Sequence, residues 1–369
     1  MVPLGFAAVL VAYFSLAVDS LARWDPMNGG RVLDGASLLV TGGTGSFGQR
    51  FTRRILKEYD PKKIIIYSRD EYKQYTMRAV FEKEFGRELV QEKLRFFIGD
   101  VRDRDRLYRA LDGVDVVIHS AALKHVTVAE YNPIEAVRTN IDGAANIIDA
   151  AIDRGVPRVV ALSTDKAVNP VNLYGATKLV SDKLFVSGNA YAGGKKTVFS
   201  VVRYGNVTGS RGSVVPFFGR LIKEGATELP ITDSRMTRFW ITLNQGVDLV
   251  FHALEHARGG EIFVSKIPSY TVADLARAMA PNVELKEIGI REGEKLHEVM
   301  VTSEDSRLTY DYGRHYIIYP HAEWWSKESR FTPGGTPVEE GFSYASNTNE
   351  QWLSVEQMRE MLQSIELVY

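Results

Sequence analysis

The sequence contains no cysteine. Disulfides, thiolate nucleophiles and cysteine metal sites are thereby excluded. Histidine is sparse, at seven residues, and none of them forms a pair at metal-ligand spacing such as H-E-x-x-H, so no metal is expected. Neither sign of charge is in excess: 45 basic residues face 46 acidic ones, for a formal net charge of -1. Such a balance exerts no broad pull on nucleic acid, which is not an expected partner, and an anionic ligand has to be held by local arginines. Internal repeats and low-complexity tracts are also missing. What remains is an ordinary globular composition, 45% hydrophobic and 25% charged, which argues against disorder along most of the chain. Its 369 residues suffice for one large domain, or for a nucleotide-binding domain with a smaller partner.

The long uncharged apolar run is at the start, Met1–Val18, with Asp19 and Arg23 after it. A spanning helix wants about 20 apolar residues, so this run sits at the lower edge. It lacks the basic n-region and the cleavage site of a signal peptide. Three readings stand. Residues 1–26 form a membrane anchor, with membrane contact confined to residues 1–23 and the rest in the cytoplasm, as Arg23 and Arg31 would dictate. Alternatively the start is misassigned and Met27 is the first residue, or the run is an apolar helix packed on the protein.

Beyond it, short apolar runs alternate with helical stretches. Ser37–Thr41, Lys63–Tyr67, Leu94–Ile98, Val114–His119, Arg158–Leu162 and Thr197–Arg203 read as strands. Ser46–Glu58, Glu71–Glu84, Ile134–Arg154 and Leu173–Ser187 read as the helices between them. The pattern predicts an α/β fold with a parallel sheet covered on both faces. After Arg203 it becomes less regular, with turns at Gly209, Gly212, Pro216 and Pro230, which suits a smaller C-terminal α/β substrate domain. The expected division is 34–203, 204–345, and a tail 346–369 ending in a helix over Ser354–Leu367, with Ser354 and Gln357 as its capping box.

Gly42, Gly45 and Gly48 give G-x-x-G-x-x-G between the first strand and the first helix. Glycine there lets the backbone turn tightly and approach a pyrophosphate, which the helix N-terminus favours through its unpaired N–H groups. The second strand ends at Ser68-Arg69 rather than at an acid, a pairing that suits the 2′-phosphate of NADP, although Asp70 follows directly. Gly99-Asp100-Val101 follows the third strand, where adenine is expected. The fifth strand runs into Ser163-Thr164-Asp165-Lys166, and Tyr174 and Lys178 then share one helical face at i and i+4. A nearby ammonium and the nicotinamide charge are expected to favour the tyrosinate, lowering the Tyr174 phenol towards use as a base. Asp165 and Lys166, as a neighbouring charge pair at the carboxyl end of a strand, read as reactive rather than merely solvated.

These features together resemble the extended short-chain dehydrogenases/reductases, with their Rossmann-like doubly wound sheet. Within that group the chain looks like the UDP-N-acetylglucosamine 4,6-dehydratases. The segments AALKHV (121–126), STDKAVNPVNLYGATK (163–178), RYGNVTGSRGSVVPFF (203–218), REGEKLHE (291–298) and FSYASNTNEQWLSVEQMREML (342–362) carry the likeness, over residues 34 to 365. Related dehydratases of dTDP- or GDP-hexoses typically end the triplet Thr164-Asp165-Lys166 in Glu, and a C5-retaining branch typically has Met in place of Tyr174. The likeness is therefore to the inverting branch, which feeds pseudaminic acid or L-sugar polysaccharide pathways.

The resemblance implies tightly bound, recycled NADP, UDP-N-acetylglucosamine as substrate, and a homo-oligomer, a dimer or a hexamer. The cofactor would be held by Gly42, Thr44, Gly45, Ser46, Phe47, Gly48, Ser68, Arg69, Asp100, Val101, Ala121, Ala122, Lys124, Tyr174, Lys178 and Val207. The substrate would be held by Lys124, Asn206, the loop Arg211, Gly212, Ser213, Val214, Val215 and Pro216, and by Arg238 and Arg291. Tyr174 would take the proton of the C4 hydroxyl, Lys166 the proton of C5, and Asp165 would protonate the leaving C6 hydroxyl. Lys178 would hold the nicotinamide ribose and tune Tyr174, and Thr164 would position the C4 oxygen. Burial and neighbouring cations are expected to deprotonate Lys166. Competing readings are a UDP-sugar 4-epimerase, a C5-retaining dehydratase, a non-catalytic NADP-binding regulator and a membrane-associated scaffold.

Overall fold

Ser37–Thr41 carries no charge and forms strand β1 with every residue buried. A strand hidden on both faces needs partners at both edges and helices above and below. Lys63–Ser68 (β2) lies parallel on one side, followed outward by Leu94–Ile98 (β3). Val116–His119 (β4) lies parallel on the other side, followed by Arg158–Thr164 (β5) and Val198–Tyr204 (β6). The structure, a computed structural model, describes residues 31–209, 213–321, 325 and 333–364. The apolar segment 1–26 and residues Arg211 and Gly212 lie outside the described residues. No helix among the described residues is long and apolar enough to cross a membrane.

The short strands Glu228–Ile231 (β7) and Thr237–Phe239 (β8) stand apart from this sheet, but Ile262–Ser265 (β9) joins β6 in parallel. Ser269–Thr271 (β10) pairs with β8, and Glu284–Glu287 (β11) with β7. Val299–Val301 (β12) pairs with Tyr344–Ala345, the last strand of the chain. Thr309–Asp311 (β13), His315–Ile318 (β14) and Thr336–Pro337 (β15) extend the main sheet beyond β9 in antiparallel fashion. Among the described residues the order is β15-β13-β14-β9-β6-β5-β4-β1-β2-β3, a doubly wound sheet of ten strands. The sheet therefore draws strands from both sides of Arg203.

Helix α1 (Ser46–Glu58) buries Gly48, Phe51, Thr52 and Ile55, one face at helical spacing. The sheet then passes through Glu71–Phe85 (α2), Arg87–Lys93 (α3) and Arg104–Ala110 (α4). The expected helix over Ile134–Arg154 is interrupted. Val126–Tyr131 (α5) and Pro133–Val137 (α6) lead into a π-turn at Arg138–Asp142, before Gly143–Arg154 (α7) resumes. The cause is Asn140. Its buried side chain accepts from Leu123 N at 2.8 Å and donates to Leu123 O and to Thr177 Oγ1. Widening one turn lets a side chain inside the bundle serve a neighbouring loop. Leu173–Tyr191 (α8) packs beside α7, and Phe185 on α8 meets His119 and Phe199 of the sheet. Right-handed crossovers send the helices on the two sides of β1 to opposite faces.

The remaining α-helices among the described residues are Val214–Lys223 (α9), Leu243–His256 (α10), Val272–Met279 (α11) and Val355–Ser364 (α12). α10 joins α1 through Phe51–Phe251 and through Arg54, which binds Asp248 at 2.9 Å. Phe218, Leu229, Ile231 and Ala276 form a separate small core of α9, β7 and α11. The tail helix sits on α11 through buried Met358, and the Ser354–Gln357 capping box is present, with bonds of 2.9 and 3.2 Å.

Candidate active site

The strand order reverses between β1 and β4, and the crevice at their carboxyl ends is where doubly wound sheets take ligands. Thr41 ties the two ends together. Its Oγ1 lies 2.9 Å from His119 Nδ1 and accepts from the N–H groups of Ser120 and Ala121, while Ser120 Oγ donates to Thr41 O. Burial, aided by the Lys178 ammonium, pushes the His119 imidazole down to about 3. His119 is therefore neutral and structural.

The glycine loop leaves β1 here. Gly42 has φ +63°, and a Cβ on it would lie 3.0 Å from the backbone of Ala121. A Cβ on Gly48 would lie 2.5 Å from Gly43, so the helix could not sit this close to the turn. Gly45 N-caps α1 with no side chain over the end, which leaves the first turn's N–H groups to an anion. Thr44, Ser46 and Phe47 line the same turn. This cradle fits the diphosphate of a dinucleotide.

At the end of β2, Ser68 is buried and its Oγ accepts from Gln74 at 3.0 Å. Arg69 is exposed, with Nη1 at 3.7 Å from Asp100 Oδ2. Asp70, the acid that counted against a 2′-phosphate, is occupied elsewhere: it caps α2 by accepting from Lys73 N at 2.9 Å and pairs with Lys73 Nζ at 3.0 Å. Asp100 is held by Arg102 through its backbone and its guanidinium. Val101 is buried, and Gly99 passes so close to Tyr67 that a Cβ would lie 2.3 Å from the ring. Ala121 and Ala122 are half-buried on the loop after β4, with Lys124 exposed beyond them.

β5 ends in Thr164, and a 3-10 turn, Asp165–Ala167, follows. Asp165 is fully buried. Its Oδ1 accepts from Thr164 Oγ1 at 2.9 Å and from Lys166 Nζ at 3.1 Å. Its Oδ2 has no hydrogen-bond partner among the described residues. Lys166 Nζ also donates to Asn206 Oδ1 at 3.0 Å and lies 3.5 Å from Glu298 Oε1. Asn172 caps α8 by accepting from Gly175 N at 2.8 Å, which brings Tyr174 over the turn. Tyr174 is buried, and Lys178 is buried one turn on.

Two electrostatic expectations need correction. Burial and Arg238 do push the Lys166 ammonium down, but the carboxylates of Asp165 and Glu298 outweigh them and hold it above the usual lysine range. Tyr174 is not lowered: burial pushes its phenol up to about 12, and the cation pulling against this is Lys166 rather than Lys178. Burial lowers Lys178 itself, opposed by Asp182. Asp182 accepts from Ser163 Oγ at 2.6 Å and lies 3.5 Å from Arg203.

The expected substrate residues are less tightly gathered. Asn206 is in the cluster through Lys166. Val207 bridges to Ile241, Ser213 N-caps α9, and Val214, Val215 and Pro216 open that helix, with Val215 buried. Arg238 points its guanidinium at the loop before β12, donating to the carbonyls of Leu296 and Lys295 at 3.2 and 3.0 Å, with Nε at 3.6 Å from Glu298. Arg291 is exposed, its nearest carboxylate Glu294 at 4.0 Å. Two residues escaped the sequence reading, Asn140 and Glu298. A carboxylate next to the apolar run Val299–Val301 was the available signal for Glu298.

The sequence pattern of a polysaccharide biosynthesis protein family matches residues 38–320. The chain belongs to this family. It is 54% identical over 340 residues to a UDP-N-acetylglucosamine 4,6-dehydratase (inverting) of Campylobacter jejuni, covering 91% of this chain and 99% of the relative. It is 42% identical to a UDP-glucose 4-epimerase of Rickettsia canadensis, covering 90% and 96%. Among solved structures, Pen from Bacillus thuringiensis superposes with a TM-score of 0.81 at 36% identity, covering 91% of this chain and 99% of that one. The dTDP-glucose 4,6-dehydratase DesIV of Streptomyces venezuelae, solved with NAD bound, gives 0.61 at 25% identity, covering 70% and 86%.

Proposed function

We propose that the protein is a nucleotide-sugar dehydratase, a hydro-lyase that converts UDP-N-acetylglucosamine to a 4-keto-6-deoxy sugar with inversion at C5. The observation that carries this reading is the convergence of Asp165, Lys166 and Tyr174 beside the dinucleotide cradle, in a chain 54% identical to an inverting dehydratase. The site fits a nicotinamide cofactor, which supplies a reversible hydride acceptor when bound. Arg69, with Asp70 turned to its own helix, favours NADP.

In this reading Tyr174, once its phenol has lost its proton, accepts the proton of the sugar C4 hydroxyl as that carbon is oxidised, with Lys178 on the adjacent turn. The C4 ketone acidifies the C5 hydrogen. Lys166 removes it once its ammonium has lost a proton, and Asp165, whose carboxyl burial pushes above the ordinary range, protonates the leaving C6 hydroxyl. Return of a proton to C5 from the opposite face inverts that centre. The 42% identity to a 4-epimerase supports a second reading, in which the same cofactor site works without loss of water.

The test is incubation with UDP-N-acetylglucosamine in deuterium oxide. The dehydratase gives a product lighter by one water and deuterated at C5. An epimer of unchanged mass defeats the reading. Lys166→Ala should retain NADP yet lose C5 exchange, and normal exchange by that variant would remove Lys166 as the base.

A further inference from the structure

Glu298 lies 132 residues beyond Lys166 in sequence and shares its ammonium. It is buried, in the segment entering β12, and its backbone N–H donates to Ser346 Oγ at 2.9 Å. Oε1 faces Lys166 Nζ at 3.5 Å and Arg238 Nε at 3.6 Å. Oε2 has no hydrogen-bond partner among the described residues, and Lys295 Nζ stands 4.0 Å from it. A buried carboxylate without its full complement of donors is costly unless it serves the groups around it.

We propose that Glu298 is a positioning residue for the elimination step: it holds Lys166 against Asp165 and brings a second negative charge to the cluster around Asp165. The proposal rests on the dehydratase reading above and deepens it.

The geometry assigns the proton. Asp165 Oδ1 already accepts two hydrogen bonds, whereas Oδ2 is buried without a partner, so Oδ2 is the oxygen that carries hydrogen. Burial raises the Asp165 carboxyl, and the like charge of Glu298 raises it further, against Lys166 and Thr164. Burial works against an ionised Glu298, but Lys166, Arg238 and Lys295 together keep it ionised. The two carboxyls that share one ammonium are thus pushed in opposite directions, Asp165 up and Glu298 down, the division of labour an acid and its support require. Tyr174 from α8 and Tyr270 from β10 complete the ionisable groups facing the cluster; both phenols are buried and neutral. His297, beside Glu298, turns to Thr237 Oγ1 at 2.8 Å. In the step itself the Asp165 O–H bond breaks and its proton goes to the C6 hydroxyl. The C6–O bond breaks and water leaves; the C5 proton goes to the free amine of Lys166, and the electrons of the former C5–H bond form the C5–C6 double bond.

The test compares wild type, Glu298→Gln and Glu298→Asp by two measurements. The first is a pH titration of isotope-labelled aspartate carboxyls by NMR, with Asp165→Asn identifying the signal. The second is the pH profile of kcat with UDP-N-acetylglucosamine. Removing the like charge in Glu298→Gln should lower the Asp165 midpoint, and with it the alkaline limb of kcat, by on the order of one pH unit. kcat should fall about tenfold or more, while KM stays within about threefold. Glu298→Asp keeps the charge, so its midpoint should remain near wild type while kcat falls. This variant carries the test if the Gln protein does not fold, and a lowered midpoint in it overturns the proposal. Dehydration by wild type with an unmoved Asp165 midpoint in Glu298→Gln also overturns it. A moved midpoint in a protein whose wild type releases no water supports the coupling and defeats the dehydratase reading instead.

Discussion

Gly175 offers the most direct test of how the turn and helix α8 are held together. It follows Tyr174 in the first turn of α8, where the helix crosses the turn carrying Asp165 and Lys166. A Cβ at this position would lie 2.1 Å from Lys166 O, 3.0 Å from Lys166 C and 3.0 Å from Pro170 Cβ. The first contact is with backbone, which cannot swing aside as a side chain can. Restoring ordinary contact in Gly175→Ala requires α8 and the turn to separate by roughly 1 Å. Overpacking of this kind costs about 1–3 kcal/mol. Alanine recovers about 1 kcal/mol over glycine in a helix, so the net loss of stability is only about 0–2 kcal/mol. The displacement, however, falls between Tyr174 on one side and Asp165 and Lys166 on the other. Misplacement of about 1 Å in a reacting constellation costs on the order of a hundredfold in rate. Gly175→Ala should therefore remain folded by denaturant titration and bind cofactor, while kcat drops about a hundredfold. A kcat within about twofold of wild type would show that the close approach does not set the geometry.

Arg69→Ala should weaken NADP by about tenfold or more, since it removes a charge-assisted contact to phosphate, and should affect NAD far less. Equal losses for both cofactors in calorimetric titration would remove Arg69 from 2′-phosphate recognition. A second expectation concerns pH and stability. His252 on α10 and His315 on β14 meet through Nε2 atoms 3.0 Å apart. Burial and the neighbouring imidazoles push His252 to about 3; burial and His256 push His315 to about 4. Because both are depressed below the ordinary histidine value, their contribution to stability is complete above about pH 6.5 and is lost as pH falls towards those values. His252→Gln should flatten the fall in thermal midpoint over that range; a fall as steep as wild type would exclude the pair as its source.

Much of the fold was legible because buried parallel strands leave uninterrupted apolar runs. Ser37–Thr41 forms such a buried strand with the expected bounds; the helix Ser46–Glu58 also keeps them, as does the partly exposed edge strand Leu94–Ile98 despite Arg95. The helix over Ile134–Arg154 was misread in its middle because periodicity reports which face is buried, and not a local widening driven by one side chain bonding to another loop. β13, β14 and β15 were not anticipated as part of the main sheet. They are two to four residues long, and antiparallel pairing at a sheet edge leaves little pattern in so few positions. In the site, Thr164, Asp165, Lys166, Tyr174 and Lys178 lie within fifteen residues of one another, so one strand–turn–helix connection brings them together. That compactness is what made them readable.

The charge state of that compact group was not readable, and the reason is topological. Its electrostatics are decided by a segment entering β12 that the chain reaches only after the substrate-side helices. Asn172 donates to Gly293 O at 2.7 Å, Lys295 donates to Val168 O, and Arg238 donates to Lys295 O and Leu296 O. Three elements thus fasten the loop, and Glu298 at its end is delivered to Lys166. Arg238, a residue the resemblance puts on the substrate, directs its guanidinium at backbone carbonyls of this loop nearly sixty residues away. A lysine beside one aspartate at the end of a strand reads as a base that burial could neutralise. The same lysine between two buried carboxylates is held as an ammonium, and Asp165 is raised by the very charge that holds it. The local motif names the reacting groups, and the distant loop pushes Asp165 and Lys166 up together.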